Sequence, residues 1–454
     1  MYGGCTNWYI KWKVGTKMQI KVSIIMPSLN VKGYIKEAVR SAMNQTLREI
    51  EIICIDAGSD DGTWEILSQL AETDERIVLC HSDVKSYGYQ VNMGLDMTKG
   101  EYVAILETDD YVDPKMYERL YRVAVQYDCD YVKSDCYAYW TQDNGERFFF
   151  KKKTFLNGEL YDEIMEPKKH PETATYDWYL WSGIYKKEFL TKNNIRLSET
   201  QGAAFQDIGF IFQTNVYAKR AIYRQEAYYR YCVDREEASS NSGKGLKYSY
   251  QEFDRMCRML DSVGETDQEI LSALYCRMAK SVICCYEGIS TGYVEIADSD
   301  RMKYYTWFQK KLKDAIEKDI INDQILRPEI WSKLEVLLVS EESYIRKIRD
   351  HEDDIRKKIG KSQEFPVVIF GCGYYGFSAY KWLKMQGYRL AAFMDNNKAL
   401  WGTKVNGITI EPPIQAREMT TDTRYLIANE MHSGEIREQL LAMGIADDNI
   451  GIYV

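Results

Sequence analysis

The first 140 residues alternate between short apolar runs and amphipathic stretches. Apolar runs bounded by turn residues indicate buried strands, whereas apolar residues three or four positions apart indicate helices that face a core. The predicted strands are residues 21–27, 49–56, 76–81, 101–110 and 130–137, and the helices between them include 36–45, 61–73 and 114–127. Because strands that alternate with helices form a mostly parallel sheet covered on both faces, we predict an α/β fold.

The pattern changes twice further along the chain. Residues 245–360 have the apolar spacing of helices, and their last part, 342–361, is densely charged with acid–base pairs four apart, which predicts either an exposed connector or a docking segment. From Pro366 the order is again strand, glycine turn, helix and strand. We therefore predict four segments, which are listed in chain order: an extension 1–20, an α/β domain 21–245, a helical region 246–362 and a small α/β domain 363–454.

Carboxylates follow two of the predicted strands directly. The strand 101–110 ends in Glu107-Thr-Asp109-Asp110, and the strand 49–56 ends in Asp56 before a turn-forming cluster. Ligands of open α/β sheets bind at the carboxyl ends of the strands, so these acids are expected to share one site. Adjacent carboxylates repel one another, and they are either solvated or bind a cation such as Mg²⁺ or Mn²⁺.

Charge and composition exclude several classes of function. The net charge is −9 with no basic block, which argues against nucleic acid as a partner. No apolar run approaches the ~20 residues that span a bilayer, and the N-terminus has no signal-peptide pattern, so that Met18 is a plausible start. The eleven Cys lack CxxC spacing and the four His lie apart, which favours buried thiols in a reducing cytosol over a zinc site.

Blocks that follow one another over roughly residues 20–140, the last of which includes the acidic turn, resemble family 2 glycosyltransferases, which have the GT-A nucleotide-diphospho-sugar transferase fold. The blocks read VSIIMPSLN (22–30), AVRSAMNQTLREIEIICIDAGSDDGT (38–63) and VNMGLDMTKGEYVAILETDDYVDP (91–114). Weaker similarity continues through WSGIYKKEFL, FQDIGF and YRYCVDREEASSNSGK to about residue 250. The resemblance implies a nucleotide-sugar donor, a divalent metal and inversion at the anomeric carbon.

The resemblance also assigns roles to individual residues. Asp110 would be the main metal ligand and Asp109 would face the ribose or the metal, while Asp207 in FQDIGF would be the catalytic base. By their own Ser, Gly and Lys spacing, residues 235–247 suit either a mobile loop that closes over the diphosphate or a plain linker. The remaining donor-binding residues implied in this way are Pro27, Ser28, Asn30, Asp56, Asn92 and Lys244.

The chain departs from the family pattern at several positions. Ala57 replaces the acid that usually contacts the nucleobase, Glu107 replaces the more usual Asp, and Gln206 replaces the Glu of the usual Glu-Asp pair. A UDP-sugar is the expected donor, but the base stays open. No His lies between 170 and 351, so a third metal ligand from the later loop would be Asp234 or Asn241.

Two further stretches have two or more interpretations. The aromatic segment YDWYLWSGIY (176–185) lies where the family binds its acceptor, and aromatic clusters also form cores. Gly371, Gly373 and Gly376 fit GxGxxG, with Asp395 at the end of the next strand, as in small Rossmann-like domains of surface-polysaccharide transferases. Packing or docking, nucleotide binding and redox chemistry remain alternatives for this C-terminal domain.

Three functions therefore compete. The first is a metal-dependent inverting glycosyltransferase that uses Mn²⁺ or Mg²⁺ and adds a sugar to a glycan or lipid-linked glycan, in the cytoplasm or at the inner face of the membrane. The second is a nucleotidyltransferase, and the third is a non-catalytic nucleotide-sugar-binding scaffold. Peripheral membrane association and a homo-oligomer stay open.

Overall fold

A computed structural model describes residues 19–155, 158, 160–235, 245–290 and 298–454. Most of the predicted extension 1–20 lies outside these residues, as do Asn241 and Lys244. Contacts divide the chain into two compact units, the first containing residues up to 136 and 153–339, the second 137–152 and 340–454. The domain boundaries that we predict at 245 and 362 are not boundaries of these two units, and they stay predictions.

The first unit is built on one mixed sheet. Its strands and the adjoining hairpin strand are β1 (Val22–Ser28), β2 (Ile50–Asp56), β3 (Ile77–His81), β4 (Tyr102–Ile105), β5 (Tyr111–Val112), β6 (Tyr131–Thr141), β7 (Arg147–Lys152), β8 (Gly183–Lys186) and β9 (Ala221–Cys232). Their spatial order is β3-β2-β1-β4-β8-β6-β9-β5, and β7 pairs with β6. Strands β3, β2, β1 and β4 are parallel, as the alternation predicted, whereas β8 runs antiparallel to both β4 and β6.

Three of the four parallel strands are buried along their whole length. Every residue of β1, β2 and β4 is buried, which suits a sheet whose two faces are covered. The predicted strand 101–110 is shorter in the structure, because β4 ends at Ile105 and the acidic residues form a turn before β5. The ends of β1, β2 and β4 therefore lie along one edge of the sheet, with the acids in the loops that follow.

Helices cover the sheet and then continue as a helical layer. They are α1 (Ile35–Met43), α2 (Thr63–Thr73), α3 (Tyr87–Met97), α4 (Met116–Gln126), α5 (Pro171–Tyr176), α6 (Lys187–Lys192), α7 (Gln206–Tyr217), α8 (Gly245–Val263), α9 (Gln268–Ser290), α10 (Asp298–Glu317), α11 (Pro328–Val339) and α12 (Glu341–Ile359). The predicted helical region is thus confirmed as helical. Helices α8 to α11 belong to the first unit, where α8 and α9 pack on α7 and α9 also packs on α5.

The second unit contains a smaller, mainly parallel sheet. Its elements are β10 (Val367–Phe370), α13 (Tyr374–Met385), β11 (Leu390–Met394), β12 (Lys404–Val405), β13 (Ile408–Glu411), β14 (Arg424–Ile427), α14 (Ser433–Ala442) and β15 (Ile450–Ile452). The strand order is β12-β13-β11-β10-β14-β15. The Asp395 carboxylate accepts a hydrogen bond from the Cys372 backbone N–H at 2.8 Å, so this acid braces the glycine turn.

The tip of the β6–β7 hairpin is part of this second unit. The Trp140 ring stacks on Phe377 at a centroid distance of 4.2 Å, and the Asp143 N–H donates to the Asn406 side-chain oxygen at 2.9 Å. Hairpin residues and the small sheet therefore share one core. In the described ranges of the chain, no helix combines the length and the apolar character that a membrane crossing requires.

Candidate active site

The loops after β1 and β2 form one hydrogen-bonded unit at the sheet edge. Asn30 has a left-handed backbone (φ 52°), its N–H donates to Ser59 Oγ at 2.9 Å, and its side-chain oxygen accepts from the Asp60 N–H at 3.0 Å. The fully buried Asp56 carboxylate accepts from the backbone N–H groups of Gly58 and Ser59 and from the Ser59 hydroxyl. Asp56 therefore stabilises the loop by internal hydrogen bonds. Asn30 is exposed, whereas Asp56 is not.

Pro27 and Ser28 end β1 beside this loop. The Pro27 carbonyl accepts from the Thr108 hydroxyl at 2.8 Å, which ties β1 to the acidic turn. Ser28 is buried, and its hydroxyl has no hydrogen-bond partner among the residues that the structure describes. A buried hydroxyl without a partner requires an explanation, and a bound molecule at the strand end would supply one.

The Asn92 side chain is hydrogen-bonded to a neighbouring segment of the chain. Its amide donates to the Leu197 carbonyl at 3.0 Å and to Glu199 at 2.9 Å, and its oxygen accepts from the Leu197 N–H at 3.0 Å. Both amide hydrogens are thus used in holding the segment 197–199 against α3. That Asn92 contacts the donor stays a prediction, and such a contact would have to use its side-chain oxygen.

The acidic turn holds its three carboxylates in different ways. The Glu107 carboxylate accepts a hydrogen bond from the Tyr87 hydroxyl of α3. Asp109 forms an ion pair with Arg235, with 2.7 Å between Oδ2 and Nη1. Asp110 accepts from the Tyr229 hydroxyl at 2.9 Å and from the Cys232 N–H at 2.8 Å. The turn is therefore folded against the end of β9.

Burial decides which of these acids a ligand can reach. Asp110 is 2% exposed and each of its oxygens already has a donor, whereas the Asp109 side chain is 24% exposed. Burial, together with the charge of Asp109, raises the pKa of Asp110 and raises that of Glu107 to about 8. That Asp110 is the main metal ligand stays a prediction, and the structure adds that residues of β9 cover this side chain. Asp109 is the accessible carboxylate.

Asp207 lies in the first turn of α7. A left-handed Phe205 (φ 66°) precedes the helix, and one Asp207 oxygen accepts from the Ile208 N–H at 3.0 Å. Burial raises the pKa of Asp207, and the nearby positive charges of Arg277 and Lys133 oppose that rise. Asp207 in turn helps to raise the pKa of Glu107 and of Tyr87, so the structure brings the proposed base close to the acidic turn.

The aromatic segment 176–185 stacks onto β9 beside the same turn. Trp181 stacks on Tyr229 at 4.0 Å and on Tyr179 at 4.4 Å between ring centroids. Trp181 and Tyr229 are buried, so they are core residues, whereas Tyr179 and Tyr231 are partly exposed at the edge of the stack. The core interpretation therefore applies to Trp181, and acceptor binding by the partly exposed rings stays a prediction.

Several residues around the site were not singled out from the sequence. Tyr229 and Arg235 lie within the block YRYCVDREE, so a contact between that block and the acidic turn was a possible signal. Tyr87 and Arg277 gave none, because each is one residue of an ordinary helical pattern. In the described parts of the chain, no group of three His, Cys, Asp or Glu side chains is arranged to hold a metal ion.

Comparison with known proteins agrees with this architecture. Residues 23–223 match Glycosyl transferase family 2, and residues 364–451 match C2185-like, N-terminal. The chain is 30% identical to Glycosyltransferase GlyG of Streptococcus pneumoniae over 46% of this chain and 70% of GlyG. It is 32% identical to the uncharacterized glycosyltransferase EpsJ of Bacillus subtilis over 39% of this chain, and it spans about half, 51%, of EpsJ.

Solved structures share the fold of the first unit. The crystal structure of residues 1–349 of S. aureus TarS aligns with a TM-score of 0.54 at 18% identity, over 76% of this chain and 94% of that chain. The same fragment in complex with UDP-GlcNAc aligns with a TM-score of 0.53. Together with the mixed sheet and the acidic turn at its edge, these similarities show that the chain belongs to glycosyltransferase family 2 and has the GT-A fold.

Proposed function

We propose that this chain transfers a sugar from a nucleotide-sugar donor, preferably a UDP-sugar, to a hydroxyl group of a glycan or lipid-linked glycan, with inversion at the anomeric carbon. The observation that carries the proposal is the acidic turn at the carboxyl ends of β1, β2 and β4, where the Asp109 carboxylate is partly exposed. A role in surface-glycan assembly, at the inner face of the membrane, goes with this proposal. S. aureus TarS has been crystallised with UDP and with UDP-GlcNAc, which favours uridine as the first nucleotide to test.

A hard divalent cation is expected to bind at the acidic turn through the partly exposed Asp109. Three carboxylates lie within four positions, and burial, followed by the charge of Asp109, raises the pKa of Glu107 to about 8. Oxygen ligands of this kind are those that Mg²⁺ and Mn²⁺ prefer. Asp109 would bind the ion, and Arg235, now its partner at 2.7 Å, would be released toward the diphosphate. When bound, the metal supplies neutralisation of the diphosphate charge.

The protein's own groups can perform the remaining steps. Asp207 takes the proton of the acceptor hydroxyl as the acceptor oxygen attacks the anomeric carbon. A bond forms between that carbon and the acceptor oxygen while the bond to the diphosphate oxygen breaks, and the electron pair leaves with the nucleoside diphosphate. One catalytic carboxylate is sufficient for this single displacement, in contrast to the two that a glycosidase requires.

The test is a donor screen with the full chain. UDP-, GDP- and dTDP-sugars are incubated with Mn²⁺ or Mg²⁺, and release of nucleoside diphosphate is measured with and without EDTA. We expect release from a UDP-sugar that stops in EDTA and returns with added metal. Release of nucleoside monophosphate or pyrophosphate would indicate nucleotidyl transfer, and no release with any donor would contradict the proposal.

A further inference from the structure

Gln206 is a buried glutamine at the first position of α7, directly before the proposed base Asp207. It is 1% exposed, and its side-chain amide nitrogen donates to the Thr200 carbonyl at 2.9 Å, to the Thr200 hydroxyl at 3.0 Å and to the Gly202 carbonyl at 3.1 Å. Three oxygens thus surround one amide nitrogen. The side chain therefore attaches the start of α7 to the loop 200–202 that precedes it.

The same loop is bonded on its other side to the start of α3. The Gly202 carbonyl also accepts a hydrogen bond from the Tyr87 N–H at 2.9 Å, and the Gly202 N–H donates to the Lys85 carbonyl at 3.0 Å. Gly202 has a left-handed backbone (φ 90°), which favours glycine at this position. One carbonyl therefore joins the first turn of α7 to the first turn of α3.

Both of these helices carry a group of the candidate site. Asp207 follows Gln206 in the first turn of α7, and the Tyr87 hydroxyl of α3 donates to Glu107 of the acidic turn. A continuous series of hydrogen bonds thus runs from the start of α7, through the loop 200–202 and α3, to the acidic turn. A shift of this loop would therefore change the position of the proposed base relative to the turn.

The hydrogen bonds of the amide explain why glutamine is present where the family usually has glutamate. The Thr200 and Gly202 carbonyls accept hydrogen bonds and cannot donate them. Among the described residues, the amide oxygen of Gln206 has no hydrogen-bond partner, so the Thr200 hydroxyl is the one group in these contacts that could donate to a carboxylate. Burying a charge with so few donors is unfavourable. A carboxylate at position 206 would therefore weaken the attachment of the loop.

We propose that Gln206 is a positioning residue, which holds the first turn of α7 against the loop 200–202 and so fixes Asp207 relative to the acidic turn. The proposal rests on the proposed glycosyl transfer and deepens it, because it adds a residue that the reaction requires but that contacts neither donor nor acceptor. Such placement matters because a general base must lie within hydrogen-bond reach of the proton that it takes. The chain should therefore lose activity when it receives the glutamate that is usual in the family.

The experiment compares Gln206→Glu and Gln206→Met with the wild-type full chain. Turnover is measured as release of UDP from the UDP-sugar that the donor screen identifies, with Mn²⁺ present and water as the acceptor, and UDP affinity is measured by calorimetry. We expect kcat of Gln206→Glu to fall about 10²-fold, the scale on which a misplacement of about 1 Å affects a rate, with UDP affinity near the wild-type value. Gln206→Met donates no hydrogen bond but adds no charge, so its kcat should lie between the two. A normal kcat in folded Gln206→Glu overturns the proposal.

Gln213→Glu is the matched control. Gln213 lies on the same helix, is 5% exposed, and its amide nitrogen donates to the Arg196 carbonyl at 2.9 Å and to the Gly209 carbonyl at 2.8 Å. The substitution removes similar hydrogen bonds in a similar environment without contacting the loop 200–202. We expect it to lower the melting temperature as Gln206→Glu does, but to leave kcat of the folded protein near the wild-type value. Equal losses of kcat in the two variants would make Gln206 a structural residue and overturn the proposal.

A second comparison tests whether the effect acts through the base. In an Asp207→Asn background, Gln206→Glu should change the residual rate little, because the group that it positions has lost its basicity. A further loss of the same size would contradict action through Asp207. If Gln206→Glu does not fold, Gln206→Met decides, since a wild-type kcat there contradicts the need for the amide donor. Absence of turnover in the wild-type protein overturns the proposed function itself, whereas wild-type turnover with an unaffected Gln206→Glu overturns this inference alone.

Discussion

At the scale of single residues, accessibility separates the two aspartates of the acidic turn. Asp110 spends both oxygens on Tyr229 and Cys232, whereas Asp109 pairs with one arginine and remains partly exposed. The sequence placed both residues at the end of a strand correctly. It could not rank them, because the ranking depends on β9, which lies about 120 residues later in the chain.

Asp109→Asn should abolish the stimulation of donor turnover by Mn²⁺ while leaving the melting temperature near that of the wild type. Asp110→Asn should mainly destabilise the first unit, by about 1–3 kcal/mol, because an amide nitrogen would face a buried donor. Metal titrations of both variants, with thermal unfolding alongside, separate the two roles. Asp113→Asn, two positions after β5 begins, is the control. A stable Asp110→Asn protein that no longer responds to metal would return the ligand role to Asp110.

At the scale of elements, helix α3 carries Tyr87, which binds the acidic turn, and is also packed against the segment 197–199. Tyr87 holds Glu107, the adjacent Gly88 lies against the Ser198 backbone, and Asn92 binds Leu197. A Cβ atom on Gly88 would come within 1.8 Å of the Ser198 carbonyl oxygen. The glycine is therefore required by close approach, and α3 cannot move without moving Glu107.

Gly88→Ala should lower the free energy of unfolding by about 1–3 kcal/mol, as is usual when atoms are forced into a packed region. Donor turnover should fall as well, because the shift carries Tyr87 away from Glu107. Chemical denaturation and the donor-release assay measure the two effects. The control is Gly33→Ala, where a Cβ would meet no atom within 4 Å. Equal behaviour of the two variants would contradict the account of α3.

The elements also show where prediction from sequence succeeds. Strands β1, β2 and β4 and helices α1, α2 and α4 could be predicted, because the apolar residues of each follow the pattern in which that strand or helix is buried. The antiparallel strands β8 and β9 were not predicted as strands, since their pairing partners lie far away in the chain and their residues are rich in tyrosine and charge. For the same reason Arg277, which reaches the site from a distant helix, was missed.

At the scale of the whole molecule, the β6–β7 hairpin contributes aromatic side chains to the core of the second unit. Trp140 is 2% exposed, stacks on Phe377, and lies within 6 Å of the Phe148 and Phe150 rings. In the sequence, almost 190 residues separate the hairpin from the rest of that unit. A truncation after residue 339 would therefore expose these rings.

Trp140→Ala is the milder test of this arrangement. It should lower the free energy of unfolding of the second unit by about 3–5 kcal/mol, the usual cost of removing a buried large aromatic ring. Calorimetric unfolding is the measurement, and Phe149→Ala in the same hairpin, at a 37% exposed position, is the control. Unfolding of Trp140→Ala that matched this control would contradict a shared core.

The most direct measurement of the central claim is the effect of Asp207→Asn on transfer to an acceptor. The substitution keeps size and hydrogen bonding but removes basicity, so UDP affinity and melting temperature should stay near wild-type values. Because a positioned general base contributes roughly 10²–10⁴-fold, kcat and kcat/KM should fall together by that factor. A near-normal kcat with a normal acceptor would contradict the account and transfer the catalytic role to another acid.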